Sequence, residues 1–88
     1  MHYSDTFLEL EYGKLYNIDL HGLTLDEARA SLINLLMHID SSYKGIIIVH
    51  GYHKGRVLKD YFRKTFTHSM VYKKVNLDAA RTIYLLHF

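Results

Sequence analysis

Gly45-Ile46-Ile47-Ile48-Val49-His50-Gly51 decides the fold, because four consecutive β-branched residues stand between a glycine and a histidine–glycine pair. Such a run suits a central strand covered on both faces better than a surface helix. A helical period follows it: Val57, Leu58, Tyr61, Phe62 and Phe66 share one stripe, while Arg56, Lys59, Arg63 and Lys64 take the remaining surface. The passage from strand to helix therefore runs through His50-Gly51-Tyr52-His53-Lys54-Gly55.

Upstream, Leu15 to Leu20 alternates, with Tyr16, Ile18 and Leu20 on one side and Asn17 and Asp19 on the other. If the strand persists to His21, that imidazole shares the face of Asp19. Thr24-Leu25-Asp26-Glu27 reads as a capping box, and Leu25, Ala28, Leu32, Leu35, Leu36 and Ile39 then mark one buried helix stripe up to about Asp40. Farther upstream, Leu8, Leu10 and Tyr12 alternate with Glu9 and Glu11, which reads as a short extended N-terminal arm ending at Gly13. Downstream, Met70 to Leu77 and Ala80 to Leu86 read as two strands around a turn at Asp78-Ala79. The order is βαβαββ: an α/β two-layer sandwich with two helices on a four-stranded mixed sheet.

An 88-residue chain that is 49% hydrophobic supports one domain with a single modest core. It contains no cysteine, so disulfides, thiolate metal sites and a cysteine nucleophile are excluded. The N-terminus lacks the basic-then-apolar pattern of a secretory leader and no stretch is long enough to span a membrane, so a soluble cytoplasmic protein is expected. The formal charge of +2 is unevenly spread. Residues 1–53 hold three Lys/Arg against seven Asp/Glu, a net −4, and residues 54–88 hold eight against two, a net +6. A basic half of this kind suits a polyanionic partner, although solvated lysines are the plainer explanation.

Two segments can carry chemistry. Asp19 and His21 offer a carboxylate able to orient an imidazole, activate a water or hydroxyl, or share a divalent cation. The plainer reading makes Asp19 a turn cap and His21 an ordinary hydrogen-bonded histidine. In the loop, Gly51 and Gly55 permit close backbone approach to phosphate, and Tyr52 can stack on a base. Lys54, Arg56, Lys59 and Arg63 can neutralise successive phosphates, and Lys73, Lys74 and Arg81 either extend that surface or decorate exposed strand positions. Both segments fall at strand ends, where parallel strands of an α/β sheet present their ligand sites.

Ile18-Asp19-Leu20-His21-Gly22-Leu23-Thr24, with Glu27-Ala28 in the next helix, and Ile48-Val49-His50-Gly51, followed by a glycine and a helix containing Leu58, resemble the Smr (small MutS-related) domain. The similarity runs from about Tyr16 to Leu86, leaving residues 1–13 as the N-terminal arm and 14–88 as the Smr-like domain. It implies a nucleic-acid-binding module that in several members nicks DNA or cleaves RNA. The family's Asp-Leu-His-Gly motif falls on Asp19, Leu20, His21 and Gly22, and its histidine–glycine loop starts at His50 and Gly51 and closes at Gly55. Many members have glycine where His53 stands. The resulting expectation is an endonuclease with Asp19, His21 and His50 as catalytic groups, and with Gly51, Tyr52, His53, Lys54, Gly55, Arg56, Lys59 and Arg63 contacting nucleic acid. A divalent cation such as Mn²⁺, Mg²⁺ or Zn²⁺ is a candidate cofactor, with Asp19 and His21 as its candidate ligands. The alternatives are a noncatalytic nucleic-acid or protein-binding module of the same fold and, last, a small-molecule regulatory domain.

Overall fold

The computed structural model describes residues 5–51 and 56–88. Its elements in chain order are α1 (Asp5–Tyr12), β1 (Leu15–Asp19), α2 (Leu25–His38), β2 (Gly45–Val49), α3 (Arg56–Asp60), a π-helical turn (Tyr61–Thr65), β3 (Val71–Asn76) and β4 (Arg81–Leu86). The four strands form one mixed sheet in the order β1-β2-β4-β3. β1 and β2 are parallel, pairing Asp19 with Val49, whereas β4 runs antiparallel to both of its neighbours. The carboxyl ends of β1 and β2 thus share an edge with the start of β4. The expected βαβαββ sandwich is present.

Strand parity divides the core. Ile46 and Ile48 of β2 and Tyr84 and Leu86 of β4 point toward α2 and α3, where they meet Leu32, Leu36, Leu58, Phe62 and Phe66. Both halves of the capping box form: the Thr24 hydroxyl accepts from the Glu27 amide at 3.2 Å, and the Glu27 carboxylate accepts from the Thr24 amide at 3.0 Å. This fixes where α2 begins and sends its Ala28, Leu32 and Leu36 stripe into the core.

On the opposite face lie Leu15, Ile47, Ile83 and Leu85, covered by Leu8 of α1. The N-terminal segment is therefore a helix docked on the sheet and not an extended arm. Its alternating pattern is too short to impose a strand, and a helix brings Leu8 and Tyr12, four residues apart, onto one side. Leu10 is left 84% exposed. The second basic helix also departs from regularity. After Asp60 the turn widens, and the Phe66 amide reaches the Tyr61 carbonyl at 2.9 Å.

Candidate functional site

The first strand–helix junction opens with the Leu20 amide donating to the Val49 carbonyl at 2.8 Å, one residue past the end of β1. There the strand stops. His21 and Gly22 form a turn, with Gly22 at φ +81°, and the Asp19 carboxylate accepts the His21 backbone amide at 3.2 Å. The same carboxylate oxygen bonds Nδ1 of the His21 ring. Asp19 and His21 meet as expected, but through a tight polar turn and not through strand parity. Both remain open to solvent, with side chains 58% and 66% exposed respectively. The bond to His21 is the main cause holding the Asp19 carboxyl below its usual range, against a smaller opposing effect of burial.

The second junction comes alongside the first. The amides of His50 and Gly51 both donate to the Ala80 carbonyl, at 3.0 and 3.1 Å, tying this junction to the β3–β4 turn. Gly51 has φ +76°, and a Cβ built on it would lie 3.4 Å from the His21 Cβ. The two motifs, 30 positions apart in sequence from His21 to Gly51, are thus in contact at one rim.

His50 departs from the expectation of a catalytic group. Its side chain is fully buried, because its strand parity turns it toward the helices. Nδ1 donates to the Gly51 carbonyl at 2.8 Å and Nε2 accepts from the Thr82 hydroxyl at 2.9 Å. Burial is the largest influence on the ring and holds its pKa below the ordinary histidine value; Arg63 and Lys59 push the same way, while the Gly51 bond and Asp78 oppose. Arg63, expected on the phosphate-binding surface, also turns inward. Its Nε donates to Thr82 Oγ1 at 2.7 Å, and Nη2 donates to the carbonyls of Asp78 and of Arg81, the latter at 2.9 Å.

Arg56 and Lys59 lie on α3, where Arg56 is exposed and only loosely paired, its Nε 4.0 Å from Asp60. Lys74 points in, donating to the Phe66 carbonyl with its ammonium 5.3 Å from the Tyr84 ring centre. Arg81 is held by Asp78 at 2.7 Å. Through the pairing of Asp19, Val49 and Arg81 across three strands, it projects from the same sheet face as Asp19. Thr82 and the inward role of Arg63 were not anticipated from sequence. Tyr52, His53, Lys54 and Gly55 lie outside the described residues. Among the described residues no group of three or more His, Asp or Glu side chains converges as a metal site, and Asp19 and His21 are the described pair at this rim that could hold a divalent cation.

The family model of the Smr domain matches residues 18–81, nearly three quarters of the chain, from the residue before Asp19 to the first residue of β4. The chain belongs to the Smr family. Smr domains are generally nucleic-acid-binding modules, and the matched span contains both junctions of the rim. No curated protein and no solved structure matches the chain significantly. Among the described residues of this Smr domain, no helix is long and apolar enough to cross a membrane.

Proposed function

We propose that this Smr domain binds nucleic acid along the rim formed by its two strand–helix junctions and cleaves a phosphodiester bond there, with Asp19 and His21 as the acid/base pair. One observation carries the reading: a solvent-open imidazole whose Nδ1 is held by a carboxylate, next to a backbone glycine in a left-handed conformation. Because Asp19 is held below the usual carboxylate range, it is ionised at neutral pH and accepts a hydrogen bond from Nδ1–H. That fixes the tautomer and leaves the lone pair of Nε2 facing outward.

Nε2 takes the proton of the attacking oxygen, either a 2′-hydroxyl of RNA or a water, and the resulting imidazolium is stabilised by Asp19. The same proton then passes to the departing 5′ oxygen, which returns the ring to its starting state. Gly51 lacks a side chain that would crowd the approach of a phosphate to His21. Arg56 and Lys59 supply positive charge beside the backbone path. In this reading His50 holds Gly51 and does not exchange protons with substrate.

The test incubates the purified protein, Asp19→Asn and His21→Ala with supercoiled plasmid and with structured RNA, each with Mn²⁺ and with chelator. Cleavage by the parent protein, reduced at least about 100-fold in both variants while binding persists, is the expected result. A 2′,3′-cyclic phosphate end identifies attack by the 2′-hydroxyl, whereas a hydrolytic end identifies water. Binding without cleavage in the parent protein makes the domain a noncatalytic nucleic-acid module and overturns the proposal. Cleavage retained in both variants assigns the activity to another site and does the same.

A further inference from the structure

We infer that Arg63, Thr82 and His50 form one directional hydrogen-bonded chain that sets Gly51 against His21, so that Arg63 and Thr82 are positioning residues of the rim. The consequence for cleavage rests on the proposed function, but the chain itself is testable without nucleic acid. Its direction follows from the donors and acceptors. The Gly51 carbonyl can only accept, so the ring proton lies on Nδ1, 2.8 Å away, and Nε2 of the neutral ring accepts the Thr82 hydroxyl at 2.9 Å. Arg63 can only donate, and its Nε–H meets a free lone pair of Thr82 Oγ1 at 2.7 Å.

The chain spans three separate parts of the fold: the π-helical turn, β4 and the end of β2. It is also closed at its far side. Arg63 Nη2 binds the carbonyls of Asp78 and Arg81, and these flank the Ala80 carbonyl that accepts the His50 and Gly51 amides. The guanidinium therefore fixes the β3–β4 turn, and the turn and the imidazole together fix both backbone groups of Gly51. Thr82 and His50 are fully buried, so water cannot substitute for a missing partner without opening the core. Among the described residues no buried side-chain nitrogen or oxygen lacks a partner, and the chain contains both buried polar side chains, His50 and Thr82.

The widened turn is what makes the reach possible. A bond from Phe66 back to Tyr61 inserts one residue into the helical repeat just where Arg63 sits. Leu58, Phe62 and Phe66 stay buried on the core side while Arg63 is delivered to the hairpin. A cation in this place has therefore been diverted from the nucleic-acid surface to the support of the rim.

The experiment records nitrogen and amide NMR on the parent protein, Thr82→Val, Thr82→Ser and Arg63→Gln, alongside nucleic-acid binding as a function of salt. In the parent protein His50 is expected as the neutral Nδ1–H tautomer; the Nε2–H tautomer overturns the inference outright. Thr82→Val should speed hydrogen exchange at the Gly51 amide about tenfold relative to Ile47 and Ile48, the worth of one lost hydrogen bond, and Thr82→Ser should restore it. Unchanged exchange at Gly51 in both Thr82→Val and Arg63→Gln overturns the inference. For binding to a single strand, Arg56→Gln should reduce the salt slope by about 0.7 and Arg63→Gln should leave it unchanged. An equal reduction in both returns Arg63 to the role of phosphate contact and overturns its positioning role. Should the parent protein neither bind nor cleave nucleic acid, the proposed function falls while the tautomer and exchange data still decide this inference.

Discussion

Gly51 lies against His21 so closely that an added Cβ would sit 3.4 Å from the His21 Cβ, and it does so with φ at +76°. Gly22 has nearly the same backbone, φ +81°, with open space where its Cβ would be. The pair separates backbone strain from crowding. Because 3.4 Å is an ordinary van der Waals separation, Gly51→Ala and Gly22→Ala should each destabilise the fold by a similar amount, about 1–2 kcal/mol for a left-handed non-glycine residue. Urea unfolding of the two variants checks this. A much larger loss for Gly51→Ala would mean that His21 cannot yield and that the two junctions are packed more tightly than the separation implies.

The docked N-terminal helix makes a second prediction. Leu8 is 1% exposed and covers Ile47 and Ile83 on the face that α2 and α3 leave open. Truncating it to alanine should cost about 2–5 kcal/mol, the range for a buried leucine whose cavity only partly collapses. Leu10→Ala, at a site 84% exposed, should change stability by no more than about 0.5 kcal/mol. Equal effects in urea unfolding would mean that the segment is held as weakly as a free arm.

Where the sequence was legible, local and global signals agreed. Ile46 to Val49 could only be a covered strand, and Thr24 with Glu27 announced the start of α2 through side chains that bond neighbouring amides. The approach of Gly51 to His21 followed from two parallel strands ending together. α1 was misread because Leu8, Leu10 and Tyr12 alternate, and only docking on the sheet selects the helix. His50 looked like a site residue because its polarity does not reveal its burial. Its partner did leave a trace: in β4, Thr82 shares the parity of Tyr84 and Leu86, which places a short polar side chain on a core-facing row. The inward turn of Arg63 left none, since the widened turn depends on how Phe62 and Phe66 pack.

Tyr84 supplies a third test. Its ring is fully buried among Phe62 and Phe66, and its hydroxyl donates to the Phe62 carbonyl inside the widened turn. Burial first, and the neighbouring Tyr61 second, raise its pKa, so the phenol stays protonated and remains a donor. Tyr84→Phe keeps the ring and orphans that carbonyl. Stability should fall by about 1–3 kcal/mol, measured by urea unfolding. A neutral result would mean that the carbonyl finds another donor and that the turn does not depend on this bond.

The final prediction concerns pH and starts from His50. The groups that bear on it are Thr82 on Nε2, the Gly51 carbonyl on Nδ1, and the charges of Arg63, Lys59 and Asp78. Burial dominates, and the folded pKa lies below the ordinary value of 6.5. The unfolded chain therefore takes up this proton at a higher pH than the native protein does. Below about pH 6.5 the unfolded state binds more protons, so unfolding becomes easier as pH falls, and the loss levels off once the pH drops below the folded value. The contribution is complete above about pH 6.5. Asp19 and Asp78, both held below their ordinary 3.8, add a separate loss only in more acidic solution. Urea midpoints at about pH 7.5 and about pH 5 should show the protein less stable at the lower pH, with the folded-state His50 ring titrating below the ordinary histidine value by NMR. A folded-state His50 that titrates at the ordinary value, with a flat midpoint across this interval, would mean that the ring is open to water and that the chain from Arg63 to Gly51 does not hold it.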